Sequence, residues 1–328
     1  MANLVPILPR ESIYSWITRS FLLSGYATYK LFCRSLFGSE KVKFHPYLNN
    51  RITALSRISG ISEHELIRSH TLYPIFSTLH GQDFVDRSYS YLLSNKTIPN
   101  SVFGLNQQSL FGFHGHKYCP VCVLNDTQQY GFHYWHINHQ MPGVCACAEH
   151  NCQLLGIESD EGGLDRHLNL PVKTGLRLDA KSICINLAEF VNDVFVIAES
   201  NNEKSTFKDL ILRELDNREL LTAQGQFRSQ EIIKENQIYW QDMPPQSTNR
   251  LSIPDTLLTF KYVPNMLRNL ISYHCHPIKL LLVTGWLFDC KYTSRTEDPE
   301  TKSQYPQSCK PKSSSNKNTD DEQVLSLV

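Results

Sequence analysis

The chain has 328 residues, with 32 Lys/Arg against 32 Asp/Glu, so no global field draws it to nucleic acid. Its 41% hydrophobic content is that of an ordinary folded protein, long enough for about two domains. The N-terminal residues lack the basic start and apolar run of a signal peptide, and the longest apolar run, IKLLLVTGWLF at 278–288, falls short of the roughly 20 residues of a membrane span.

These features lead us to expect a cytoplasmic protein with no membrane partner. In a reducing compartment, clustered cysteines read as metal ligands rather than disulfides. Charge is slightly uneven: residues 1–150 carry 12 Lys/Arg and 8 Asp/Glu, and the remainder carries 20 and 24.

Residues 10–75 read as helical. In ESIYSWITRSFLL, the residues Ile13, Trp16, Ile17 and Phe21 form one apolar stripe. A second segment, GYATYKLFCRSLFG, stops at Gly38. The stretch RITALSRISGISEHELIRSH (51–70) has a short amphipathic helix through Ile52, Leu55 and Ile58, a break at Ser59-Gly60-Ile61, and a second start at Ser62. Ser62 and Glu65 match a capping box. Helix, tight turn and capped helix form a helix-turn-helix candidate. Residues 76–117 read as loop or short strands. Residues 157–171 read as a polar boundary.

From about 183 the pattern is helical again. Leu187, Phe190, Val194 and Ile197 form one face. A helix beginning near Thr206 precedes a turn at Gly225 and a resumed helix, a second helix-turn-helix candidate with Arg228 and Lys234 near the start of its second member. Pro277 opens a last apolar helix. The segment from 291 has too few large apolar residues to offset its ordering entropy and is expected to be disordered. The fold class is therefore mainly α: an N-terminal helical domain (1–105), a zinc-binding segment (106–165), a C-terminal helical domain (166–290) and a tail (291–328).

Residues 118–155 hold five of the ten cysteines and four of the thirteen histidines. Cys119-Pro-Val-Cys122 is a C-x-x-C knuckle, and Cys147-Ala-Glu-His150 is C-x-x-H. Two short-bite pairs joined by a loop make a structural zinc arrangement of three cysteines and one histidine, one ion per chain. Cys145, which forms C-x-C with Cys147, reads as a packed neighbour, and Cys152 stands as a competitor of His150. His133, His136 and His139 recur every three residues. They read as packing around the knuckle, with a second metal site or a histidine cluster of a metal-dependent nuclease as the alternative. Four protein ligands leave no place for a reacting water, so the site reads as structural; no clear acidic pair joins the histidines, so the chain reads as not an enzyme.

These residues resemble the zinc segment of the TniQ/TnsD family of transposon target-selection proteins. The shared pattern is the Cys-Pro-x-Cys knuckle, then Tyr134-Trp135-His136, then His139-Gln140-Met141-Pro142-Gly143-Val144, then Cys147 to His150. PRESIYSWITRSF is similar to the family's opening, Glu-Ser-x-x-Ser-Trp-x-x-Arg, and the later helical segments resemble TnsD-like members, so that the resemblance extends over most of 5–290. It implies a non-enzymatic selector that binds target DNA and recruits the transposon's AAA+ ATPase regulator and transposase. Short members resemble adaptors that dock on an RNA-guided effector complex, and a homodimer is compatible with either. Arg57, Arg68, Arg228 and Lys234 are the candidate DNA contacts.

Overall fold

The protein is described here from a computed structural model, over residues 3–42, 44, 48–78, 82–96, 116–141, 143–157, 169–171, 176–200, 207–245, 251–268 and 277–291. The expected disordered tail, beyond Lys291, lies outside these residues, as do most of the expected boundary at 157–171 and the cysteines Cys275 and Cys309.

Helix α1 (Ile13–Leu23) starts where Ser12 accepts a hydrogen bond from the Ser15 amide, a side-chain cap for one of the first-turn donors. Its stripe is core: Ile13, Trp16 and Ile17 are buried. Helix α2 (Tyr29–Phe37) ends at Gly38, whose left-handed backbone suits glycine. Helices α3 (Ile52–Ser59) and α4 (Glu63–His70) are joined by three residues, Gly60 to Ser62, the length of a helix-turn-helix connection. The Ser62 hydroxyl accepts from the Glu65 amide at 3.1 Å, which is the hydroxyl half of the expected capping box.

Helices α5 (Tyr73–Thr78) and α6 (Gln82–Leu93) follow. The α6 helix corrects the expectation of loop or strands over 76–117. Val85, Ser88, Tyr89 and Leu92 are spaced three and four apart and turn inward, but aromatic and β-branched residues along the segment obscure its helical period.

The small strands belong to the cysteine segment. Strands β1 (His116–Tyr118) and β4 (Leu155–Ile157) pair antiparallel, and β2 (Ala146–Cys147) pairs with β3 (Cys152–Gln153). Between them lie helix α7 (Pro120–Tyr130), an extended stretch, and a 3-10 turn at Ile137–Gln140. Helix α8 (Ser182–Ser200) packs on α5 and β2, presenting Leu187, Phe190 and Val194 to the core.

Helices α9 (Phe207–Asn217) and α10 (Ser229–Tyr239) are not joined by a tight turn. Residues 218–228 form a small hairpin, with Leu221 bridging Phe227 and Gly225 left-handed at its tip. The second helix-turn-helix expectation therefore meets a longer connection than the three or four residues of that motif. After α11 (Val263–Arg268), helix α12 (Pro277–Leu287) is buried on every side, as a helix apolar apart from Lys279 and Thr284 is expected to be. It packs on α8, α9 and α10. One continuous core runs from Ile13 through Trp135 and Phe190 to Leu282, and all described residues fall in one compact unit, Met1–Tyr292.

Candidate metal centre

Cys119 is the N-cap of α7 and Pro120 its first helical residue, a position where a missing N–H costs nothing. The Cys119 Sγ accepts from the Cys122 amide at 3.4 Å. The knuckle therefore places two sulfurs at a helix N-terminus, where the backbone dipole favours negative charge. Cys147 ends β2, and a turn closed by Asn151, with a positive φ of 53°, brings back His150. Asn151 tolerates that left-handed backbone better than most residues.

The donor atoms of Cys119, Cys122, Cys147 and His150 all lie within 4.8 Å of one another. His150 Nδ1 is 3.6, 3.3 and 3.5 Å from the sulfurs of Cys119, Cys122 and Cys147. The Cys122 and Cys147 sulfurs are 3.9 Å apart. A tetrahedral zinc with ordinary bond lengths requires nitrogen–sulfur edges of about 3.6 Å and sulfur–sulfur edges of about 3.8 Å. The four residues therefore fit such an ion. On its other side, His150 Nε2 lies 3.3 Å from the Asn125 side-chain nitrogen, a neighbour that helps to fix the orientation of the ring.

Without a cation, hydrogen bonds from Cys122 and then Cys147 hold the Cys119 thiol far below its usual range, while the contact with Cys119 pushes Cys122 up and Cys147 up to about 12. A dication favours the deprotonated form of all three thiols. Four protein donors complete a tetrahedron, leaving no open position of the kind a catalytic zinc keeps.

The competing residues have other places. Cys145 is buried next to Cys184 and Lys117. Lys117 is itself buried, with its ammonium donating to the carbonyls of Met141 and Val144; burial pushes its pKa down to about 7. His133, His136 and His139 do not share a helix face, because 133–135 is not helical. His136 bonds Asp126 at 2.7 Å and stacks on Tyr134. His139 is buried, and burial pushes its pKa down to about 3. Among the described residues, the group able to surround an ion is this set of three cysteines and His150.

Sequence reasoning did not foresee what holds this centre to the N-terminus. Glu11 forms an antiparallel bridge with His136. Around it, the Ser12 amide donates to the Trp135 carbonyl at 2.9 Å and the Ile137 amide to the Arg10 carbonyl at 2.8 Å. Ser15 Oγ accepts from the Trp135 amide, and the Tyr134 hydroxyl donates to the Pro9 carbonyl. The fully buried Glu11 carboxylate receives Arg19 through Nε at 3.0 Å and Nη2 at 2.7 Å, a charge-assisted fork. Trp16 Nε1 donates to the Val5 carbonyl. His70 Nδ1 donates to the Glu11 carbonyl at 2.7 Å and so ties α4 to the same point. The Glu-Ser-x-x-Ser-Trp-x-x-Arg opening and the Tyr-Trp-His stretch are two halves of one joint. Their co-occurrence in one chain was the only available signal.

The span holding both halves and all four donors, residues 4–154, matches the TniQ family model. The chain is similar to that family over these residues. It is also 23% identical over 155 residues to the Transposon Tn7 transposition protein TnsD of Escherichia coli, a match covering 46% of this chain and 30% of that protein. The chain thus spans less than a third of that relative's length. The TniQ match ends just after Cys152, whereas the resemblance was expected to continue to about 290. Helices α8 to α12 lie beyond the matched TniQ span and complete its core.

The four candidate basic residues are all exposed. Arg57 lies in the last turn of α3 and Arg68 in the last turn of α4. Arg228 precedes α10 and sits 3.6 Å from Glu231. Lys234 is on α10. No helix of the described residues is long and apolar enough to cross a membrane.

Proposed function

We propose that this chain is a non-enzymatic target-site selector of a cut-and-paste transposon. It carries one structural zinc on Cys119, Cys122, Cys147 and His150, binds target DNA, and recruits the transposon's AAA+ ATPase regulator and transposase. The TniQ match over the segment that contains the metal centre carries this reading, together with the transposition protein named among its relatives. The metal centre has a supporting role, holding α7 and the β2–β3 turn in place so that the joint with α1 is rigid. Arg57 and Arg68 are the side chains offered to phosphate, and Arg228 and Lys234 serve the same role on α10.

A second reading has an observation in its favour. The first turn of α4 carries Glu63 and Glu65, and carboxylates at a helix N-terminus oppose phosphate docking there. A docking adaptor on an RNA-guided effector complex would need little DNA contact of its own.

Electrophoretic mobility shift with the full chain over a salt series separates the two. The selector reading expects binding at low salt that falls steeply as salt rises and a shared complex with the purified ATPase regulator. Binding absent at the lowest salt would replace the first reading by the second. Plasmid nicking by pure protein with magnesium or manganese, abolished in His136→Ala, would contradict both.

A further inference from the structure

We propose that Cys152 is a reserve ligand of the metal centre, able to complete an all-cysteine site when His150 leaves the ion. The proposal rests on the zinc reading above. Cys152 lies directly opposite Cys147 in the β2–β3 ladder. Opposed residues of an antiparallel pair present their side chains on the same face, so a Cys147 aimed at the cluster aims Cys152 there too. Its Sγ lies 3.3 Å from the Cys119 Sγ, and the residue is fully buried.

Two sulfurs on one tetrahedral ion stand about 3.8 Å apart, and Cys152 is already within that range of Cys119; it stands outside the group of four mutually close donors, so it reaches the ion by moving toward the position that His150 vacates. While His150 holds the fourth position, the Cys152 thiol is placed to donate to the Cys119 thiolate. His150 is the donor with the looser hold. It sits in the turn between the strands and is only partly buried, whereas the three cysteine ligands are buried. In the exchange the imidazole leaves the ion, the Cys152 thiol loses its proton to water, and the thiolate takes the vacated position. No atom changes oxidation state. Soft thiolate ligands select thiophilic ions, so cadmium favours the all-cysteine form more than zinc does.

Cobalt(II) binding to the full chain tests this, because thiolate-to-cobalt charge transfer grows with the number of thiolates. Wild type is expected to bind one cobalt with a three-thiolate spectrum. His150→Ala is expected to keep one cobalt with a stronger, four-thiolate band. His150→Ala with Cys152→Ser is expected to bind more than about 100-fold weaker than His150→Ala alone, beyond the usual outer-ligand effect. A three-thiolate spectrum in His150→Ala, or equal affinity with and without Cys152, overturns the proposal. Should His150→Ala not fold, cadmium-113 NMR of wild type against Cys152→Ser decides it. A four-sulfur shift lost in Cys152→Ser supports the proposal, and identical shifts overturn it. Wild type that binds neither cobalt nor zinc overturns the zinc reading itself, and the reserve ligand falls with it.

Discussion

Replacing Glu11 by Gln removes one charge from the joint between the N-terminus and the metal segment while keeping nearly the same shape. The native carboxylate accepts four bonds: from the Leu8 amide at 3.0 Å, Ser15 Oγ at 3.0 Å, Arg19 Nε at 3.0 Å and Arg19 Nη2 at 2.7 Å. A carboxamide offers one oxygen, and its NH2 must face a donor. Glu11 is fully buried and the Arg19 side chain is 6% exposed, so water cannot repair the loss. Breaking one partner of a buried pair costs about 3–5 kcal/mol, a large share of the roughly 5–15 kcal/mol that holds a domain together. The melting temperature should fall by roughly 10 °C. Urea unfolding of wild type, Glu11→Gln and Glu11→Gln with Arg19→Met measures the cycle. Arg19→Met should recover part of the loss, because it removes the stranded cation. A Glu11→Gln variant within about 1 kcal/mol of wild type, in the range of an ordinary surface substitution, would refute the claim that this pair anchors the joint.

Other outcomes follow from the same contacts. Gly143→Ala should destabilise by about 1–3 kcal/mol, since its φ is +86° and an added Cβ would lie 3.1 Å from Ile278; Gly60→Ala, in open space at φ +77°, should cost only the backbone strain of about 1 kcal/mol, and thermal melts compare the two. Burial lowers the pKa of both His70 and His139, the latter to about 3, so the unfolded chain binds their protons first; stability should be level above about pH 6.5 and fall as pH drops from there toward 3, which urea midpoints across that range would show. Arg57→Glu with Arg68→Glu should weaken DNA binding across all sequences and flatten its salt dependence, with unchanged melting temperature; unchanged binding removes α3 and α4 from the interface.

Much of this was legible in local pattern. The α1 stripe and the largely apolar α12 follow from helical period and core demand, and the four donors from the short bites of C-x-x-C and C-x-x-H. Other features depend on what the chain meets elsewhere. α6 was hidden because its inward residues share the segment with aromatic side chains that also suit strands. The hairpin before α10 was read as a tight turn, because Gly225 announces a left-handed residue and says nothing of the Leu221–Phe227 bridge around it. The pairing of Glu11 and Ser15 with Trp135 and His136 spans more than a hundred residues, and periodicity carries no information about such a contact. The fifth sulfur, Cys152, was visible as a competitor of His150. Only the register opposite Cys147 shows that it faces the same centre.

The metal content of purified, folded chain, measured alongside its thermal unfolding with and without a chelator, tests the central claim most directly. The expected result is about one zinc per chain, a melting temperature that collapses when the metal is stripped, and loss of both metal and fold in Cys119→Ser. A chain that folds cooperatively, contains no zinc and melts at the same temperature with chelator would contradict the metal strut and the joint built on it.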